Sequence, residues 1–225
     1  SLAAPMARLR VLTANLLVDR AHPDAVTAMI GRHRPDIMAV QELGDIGAEA
    51  ISGVYPHGHL EPRKDGFGLG IAAIKPVAIE PIELPGRSGW VATLEPEVWG
   101  LDRPFAIVNI HLINPIDWPW VRSRKERRGQ VAGVARYLVD RDVDAVIVGD
   151  MNSTPIWPED RMLAEHGIDA AKATGTAHRT WAHFVRGPRW IRIDHAFASG
   201  ALPLSTETVP VRGSDHRALI VDLEV

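Results

Sequence analysis

Polar residues able to bind a metal ion or move a proton recur where apolar, β-like runs end. They are Asn15, Gln41-Glu42, Asn109 and His111, Asp150 and Asn152, Asp194-His195, and Ser214-Asp215-His216. Each has a dull explanation alone, because Asx residues make turns, a Gln-Glu pair can begin a helix and a lone His is often structural. Six such coincidences, all at run ends, would be needed together. As a set they form one chemistry. Glu42, Asp150 and Asp215 are hard oxygen donors and Asn15 and Asn152 are neutral ones, which suits Mg²⁺, Mn²⁺ or Ca²⁺. Carboxylates crowded into one pocket repel each other, and a cation lets them stay ionised together. The histidines are left for a separate job.

The elements that must carry these residues are legible as runs. Leu9 to Leu17 is rich in β-formers, and His22-Pro23-Asp24 then opens a helix with Ala25, Val26, Met29 and Ile30 at helical spacing. Further strands are expected at 37–40, 68–74, 77–84, 89–95, 104–111, 143–149, 191–198, 204–211 and 217–225. The longest helix is expected from Trp120 to Val139. Its apolar face is read as Val121, Val131, Val134, Ala135 and Leu138, with a basic cluster, Arg122, Arg124, Lys125, Arg127 and Arg128, in its first half. Cations near a helix start oppose the macrodipole, so the cluster is either a solvated face or meets a substrate phosphate. Strands and helices mix without strict βαβ alternation, which points to packed sheets flanked by helices.

At 225 residues, with 46% hydrophobic and 24% charged residues and a formal net charge of −3, the chain reads as one globular domain, 1–225, with residues 1–7 as a flexible end. Bulk charge gives no push towards a polyanion. The chain has no cysteine, which excludes disulfides, a thiolate nucleophile and a thiolate zinc site. No apolar run reaches the ~18 residues of a membrane span. Ser1 to Pro5 (SLAAP) lacks an initiator Met and fits a processed end, a cut below an anchor or a leftover of cloning.

Six stretches carry a resemblance: Thr13-Ala14-Asn15-Leu16, Pro35-Asp36 through Gln41-Glu42, Asn109-Ile110-His111-Leu112, Gly149-Asp150-Met151-Asn152, Arg192-Ile193-Asp194-His195 and Gly213-Ser214-Asp215-His216. In this order, along a chain that matches from Leu9 to Val225, the sequence resembles the endonuclease/exonuclease/phosphatase superfamily, whose fold is like that of pancreatic deoxyribonuclease. The resemblance implies an α/β, four-layer αββα sandwich: two packed mixed β-sheets, helices outside, and a divalent-metal phosphoesterase site at one end of the sheets. Carried over by motif, it implies Glu42 as the main metal ligand with Asn15 and Asp215 close to the metal, and Asp150 positioning or deprotonating the attacking water. It also implies Asn152, His111 and Asn114 as holders of phosphoryl oxygens, and His216, oriented by Asp194, as the group that stabilises the transition state or transfers a proton. His195 receives no role. The implied ion is Mg²⁺, with Mn²⁺ or Ca²⁺ as alternatives, and in-line attack by water needs no covalent intermediate.

The chain also resembles the bacterial branch of this superfamily in which the catalytic domain follows membrane segments and lies outside the cytoplasm. That implies an extracytoplasmic or membrane-associated monomer acting on a phosphorylated small molecule, a lipid phosphate or its head group. Trp118, Trp120, Trp157 and Trp181 follow or precede site segments, so they are read either as ordinary packing or as an apolar, membrane-proximal lip. Asp65 to Gly70 (DGFGLG) lacks the Lys-Ser/Thr of a phosphate loop and reads as a turn entering a strand; His57-Gly58-His59 reads as a loop, and Asn152-Ser153-Thr154, a glycosylation pattern, sits in the site. Two other function classes stay open. A nuclease on DNA or RNA would need a phosphate-tracking basic surface, which only 122–128 offers. A catalytically inactive binding module would be expected to have lost ligands, and none of the central positions is replaced.

Overall fold

The computed structural model describes residues 6–116, 119–185 and 187–225. Trp118, one of the expected lip residues, and Ser1 to Pro5 lie outside the described residues. Ala7, placed in the expected flexible end, instead accepts a hydrogen bond from the Val225 N–H at 2.9 Å, which ties it to the C-terminal strand.

Two six-stranded mixed sheets face each other. In the first, β1 (Arg8–Asn15) lies between β2 (Ile37–Gln41), which is parallel to it, and β12 (Arg217–Glu224), which is antiparallel; β11 (Leu202–Pro210) closes one edge and β4 (Leu69–Ala73) and β3 (His57–Glu61) the other. In the second the order is β5 (Ala78–Leu84), β6 (Arg87–Leu94), β7 (Phe105–His111), β8 (Asp144–Asp150), β10 (Asp194–Ala198) and β9 (Ile168–Asp169). The helices α1 (Pro23–His33) and α2 (Asp45–Ser52) cover the outer face of the first sheet. The outer face of the second is covered by α4 (Trp120–Arg141) and α5 (Pro158–Ala164), while short α3 (Pro96–Trp99) and α6 (Ala170–Ala173) cap connections. This is the four-layer sandwich.

Side-chain alternation explains where the polar residues go. In β1, Leu9 and Val11 point into the layer between the sheets, so two and four residues further on Thr13 and Asn15 must point there too. The same holds for Ile37, Ala39 and then Gln41; for Phe105, Ile107 and then Asn109 and His111; and for Val146, Val148 and then Asp150. The inner layer is therefore apolar along most of its length and polar at one end. Register aligns these ends: Asn15 sits beside Gln41 in one sheet, and His111, Asp150 and Asp194 form one row across the other. A buried polar bridge joins the rows. Gln41 Nε2 donates to Asn109 Oδ1 at 2.6 Å, and Asn109 Nδ2 donates to the Val40 and Gly70 carbonyls of the opposite sheet at 3.0 and 2.8 Å.

Three expectations are corrected. Residues 57–59 are not a loop but the start of edge strand β3; Gly58 at φ 120° leaves the Ile71 carbonyl room that a side chain would fill, which gave the stretch its loop-like composition. Val121 is 82% exposed rather than on the buried face of α4, because it lies two residues, about 200° of turn, from buried Ser123. Arg127 is neither solvated nor free for substrate: it is buried, donating to the Ile113 carbonyl at 2.6 Å and to Glu159 Oε2 at 3.3 Å.

Gly149, beside Ile110 in the row's approach, has φ 136°, and a Cβ there would stand 1.9 Å from the Ile110 carbonyl oxygen. Gly149→Ala is expected to cost about 1–3 kcal/mol in backbone strain before that contact is counted. A thermal melt should show a Tm several degrees below wild type; an unchanged Tm would contradict this account of the β7–β8 pairing.

Candidate functional site

The polar ends of the two sheets open onto a cavity of about 770 Å³, within the range of small-molecule sites. Glu42, His111, Asn114, Asp150, Asn152, Asp215 and His216 line it. Asn15 and Asp194 do not; both are fully buried behind that lining. Asn15 Nδ2 donates to Glu42 Oε1 at 2.9 Å and to Asp150 Oδ2 at 3.1 Å, while its oxygen accepts the Leu17 N–H at 3.0 Å. It therefore presents N–H, not oxygen, to the two carboxylates, and holds them side by side.

Asp150 serves as turn former and site carboxylate at once. Its Oδ1 accepts the Asn152 N–H at 2.8 Å, which turns the chain out of β8, and its Oδ2 faces Asn15, His111 Nε2 at 3.5 Å and His216 Nε2 at 3.7 Å. Asn152 Nδ2 donates to the Leu112 carbonyl at 3.0 Å and lies 3.3 Å from His111 Nε2. The backbone is in the left-handed region at Glu42 (φ 47°) and Asn152 (φ 45°); Asn tolerates this, whereas Glu carries strain there. Asn114 lines the cavity from the loop after β7, its Oδ1 accepting the Ile116 N–H at 3.1 Å.

The two site histidines sit in opposite fields. His216 Nδ1 lies 3.0 Å from Asp194 Oδ2, and its Nε2 lies 3.9 Å from Asp215 Oδ1. Burial opposes its charge, but Asp194 and then Asp150 outweigh burial and push its pKa up to about 10. Burial, then Arg87 and His216, hold His111 well below its ordinary value, so it is a neutral ring. Burial, reinforced by Asp194 and opposed by His216, raises Asp150 to about 7.

A divalent cation fits this donor set. Ligand atoms of Glu42, His111 and Asp150 lie within 4.8 Å of one another, and Asp215 Oδ1 is buried without a hydrogen-bond partner among the described residues. A second acidic group, Asp160, Asp169 and His195, has the same spacing, but Arg192 already holds Asp169 through two bonds at 2.9 and 2.6 Å and Lys172 lies near both acids.

Two residues that sequence reasoning did not single out for chemistry help to build the site. Arg87, at the start of β6, brings a cation to the cavity wall, its guanidinium 4.4 Å from the Phe67 ring. Trp181, read as ordinary packing or as part of an apolar lip, donates its indole N–H to Asp215 Oδ2 at 3.1 Å and so orients that carboxylate. An arginine ending a β-turn and a tryptophan in a long loop give no local signal of these roles. The loop that carries Asn114 is gripped by α4: Ser123 Oγ donates to the Asn114 carbonyl at 2.9 Å, Gln130 Oε1 accepts the Ile113 N–H at 3.1 Å, and Arg127 holds the Ile113 carbonyl. The glycine-rich turn at 65–68 enters β4 as expected, and its Asp65, Gly66 and Phe67 line the cavity mouth.

Residues 12–216 match the Endonuclease/Exonuclease/phosphatase family. No curated protein matches the sequence. Among solved structures, the chain is similar to an endonuclease/exonuclease/phosphatase from Bacteroides vulgatus, at 21% identity and TM-score 0.80, covering 97% of this chain and 99% of that one. It is similar to truncated Caenorhabditis elegans TDP2 at 16% identity and TM-score 0.72, covering 97% and 98%. It is also similar to the human Nocturnin catalytic domain with bound sulfate anion at 18% identity and TM-score 0.72, covering 96% and 93%. At these identities the likeness is one of fold.

His195 points away from Asp194 to the other side of β10. Its Nε2 lies 2.8 Å from the Ser153 carbonyl, so a neutral ring protonated there ties down the turn that presents Asn152, and its Nδ1 lies 3.2 Å from Asp160 Oδ1. Burial, then the charge of Arg192, brings His195 from 6.5 down to about 4. The unfolded chain therefore takes up a proton between those values that the folded chain does not, and stability falls as pH drops through that window. His195→Gln keeps a donor towards Ser153 but cannot titrate. Its plot of Tm against pH should be flatter than wild type between about pH 6.5 and 4; parallel curves would show that the ring is not held neutral.

Proposed function

Because the chain belongs to the endonuclease/exonuclease/phosphatase family, whose members are metal-dependent hydrolases of phosphoric esters, we propose that its cavity hydrolyses a phosphomonoester or phosphodiester by in-line attack of water, with Mg²⁺ as the ion. The observation that carries this is the convergence of Glu42, Asp150 and Asp215 with His111, Asn152 and His216 on one cavity, fed by strand ends from both sheets. Glu42 is the principal ligand, Asp215 lines the same cavity with an oxygen that has no hydrogen bond among the described residues, and Asn15 steadies Glu42. When bound, the cation supplies Lewis-acid stabilisation of charge on the phosphoryl group.

The chain's own residues do the rest. Asp150 orients the water or takes its proton, with Asn15 and the Asn152 N–H fixing its two oxygens. Neutral His111, Asn152 and Asn114 hold phosphoryl oxygens. His216, kept protonated by Asp194, turns Nε2 towards the charge that develops in the transition state. The Nocturnin neighbour in fold was solved with a bound sulfate anion, a tetrahedral oxyanion like the phosphoryl group proposed for this cavity.

The substrate reading extends to a phosphorylated lipid or its head group. Phe67, Ile116, Trp157, Trp181 and Ile191 give the cavity an apolar wall beside its polar floor, which suits an ester with an apolar body. A monomer working outside the cytoplasm or at a membrane goes with that reading. The basic, exposed side of α4 favours a nuclease instead, and cleavage of plain DNA that weakens steeply with salt would decide for it.

Two experiments test the mechanism. Hydrolysis of a soluble phosphoester should stop on chelation and return with Mg²⁺ or Mn²⁺, and Glu42→Gln should need far more metal for half-maximal rate while melting near wild type. Turnover in excess chelator, or an unshifted metal titration in the variant, would remove the metal role. Asp194→Asn and His216→Ala should each cost on the order of 10²–10³ in kcat, and the double variant little more than the worse single one, because they act as one unit. Losses that add in log rate would separate them.

A further inference from the structure

Among the described residues, six large apolar side chains are at least 60% exposed: Ile116, Val121, Val139, Ile156, Phe184 and Trp190. Five of the six belong to segments that line the cavity or directly adjoin its lining. Ile116 lines it, Ile156 and Trp190 immediately precede the lining residues Trp157 and Ile191, and the Phe184 ring packs 4.6 Å from that of lining residue His183. Val121 opens α4, which continues from the Ile116 loop and grips it through Ser123. Exposed apolar groups scattered singly need no explanation, but a concentration around one opening does.

The flank of this rim is basic. On the first turns of α4, Arg122, Arg124, Lys125 and Arg128 are exposed against a single acid, Glu126, which Arg122 pairs at 2.7 Å. Cations at a helix N-terminus work against the macrodipole, so folding alone does not favour them there. The floor of the cavity is acidic, and these exposed basic groups stand outside its lining, on the helix that follows the Ile116 loop.

We propose that this rim docks on an anionic phospholipid bilayer, so that the cavity mouth faces the lipid head groups. The occupant follows from the chemistry of the rim. Three of its five residues are aliphatic, and Ile116, Val121 and Ile156 have no ring on which a nucleic-acid base could stack, whereas they partition into the acyl boundary. Trp190 and Phe184 suit the interface, and the lysine and arginines of α4 draw the face to anionic head groups over about a Debye length. For catalysis the inference rests on the phosphoesterase reading, since it implies that the ester is presented from the bilayer. Docking itself does not need turnover.

Vesicle flotation of the whole chain tests it, with neutral phosphatidylcholine vesicles and vesicles containing about a third phosphatidylglycerol, a content that charges the surface strongly. Wild type and Glu42→Gln should float equally with the anionic vesicles and much less with the neutral ones, which keeps the binding result independent of catalysis. Val121→Ser/Ile156→Ser and Arg124→Gln/Lys125→Gln should each weaken partition about tenfold or more. Both should keep wild-type hydrolysis of a water-soluble phosphoester and a wild-type melt. Wild-type partition in both double variants, or no binding to anionic vesicles, would overturn the proposal. So would retention of a single-stranded oligonucleotide in preference to vesicles, which would assign the face to nucleic acid.

Discussion

The hydrogen bond between the carboxamides of Gln41 and Asn109 is the constraint on which the site depends. It crosses the space between the two sheets at 2.6 Å, and Asn109 continues it to two backbone carbonyls of the opposite sheet. Apolar packing between sheets is nearly indifferent to small slides along the strands, because one aliphatic contact replaces another. A buried amide bridge is not indifferent, since misalignment leaves donors and acceptors unsatisfied at about 1–3 kcal/mol each. The bridge therefore sets how the Asn15–Gln41 end of one sheet meets the His111–Asp150–Asp194 row of the other. Every distance in the cavity floor inherits that alignment.

On this floor the electrostatics are deliberately unbalanced. Asp150, Asp194 and Asp215 stand around the single imidazolium of His216, with Glu42 joined to Asp150 through Asn15, and Asp194 is the one committed to the ring by a direct bond. The imbalance appears as the raised pKa of Asp150, a carboxyl that burial and Asp194 together discourage from ionising. A site with this excess of negative charge has a standing affinity for a small hard cation. The neutral ring of His111 adds a polar contact without relieving the excess.

Much of this was legible in the sequence because a strand alternates with period two: an apolar inner-face pattern that turns polar at its last positions marks a site end. Asn15, Gln41, Asn109, His111 and Asp150 follow that rule through the parallel β1–β2 and β7–β8 pairs, while Asp194 opens antiparallel β10 and meets the same row from its start. What was not legible depends on contacts distant in the chain. Arg127 reads as one more cation in a basic stretch, and only the approach of Glu159 and the Ile113 carbonyl makes it internal. Trp181 meets Asp215 from a loop 34 residues away. Asn15 brings Glu42 and Asp150, 27 residues and 135 residues away, onto one amide.

The left-handed backbone at Glu42 and Asn152 has an evolutionary consequence. Glycine is the residue most at ease in that conformation, so at Glu42 the site keeps a functional side chain where backbone energetics favour none. A population selected only for heat resistance would drift towards glycine at that position and lose chemistry while gaining robustness. Thermostability engineering of this scaffold thus has a built-in blind spot: the substitution that looks most innocuous on a stability assay is the one that empties the centre. Persistence of glutamate at position 42 in a set of related chains would accordingly report selection for turnover, independent of any assay for substrate.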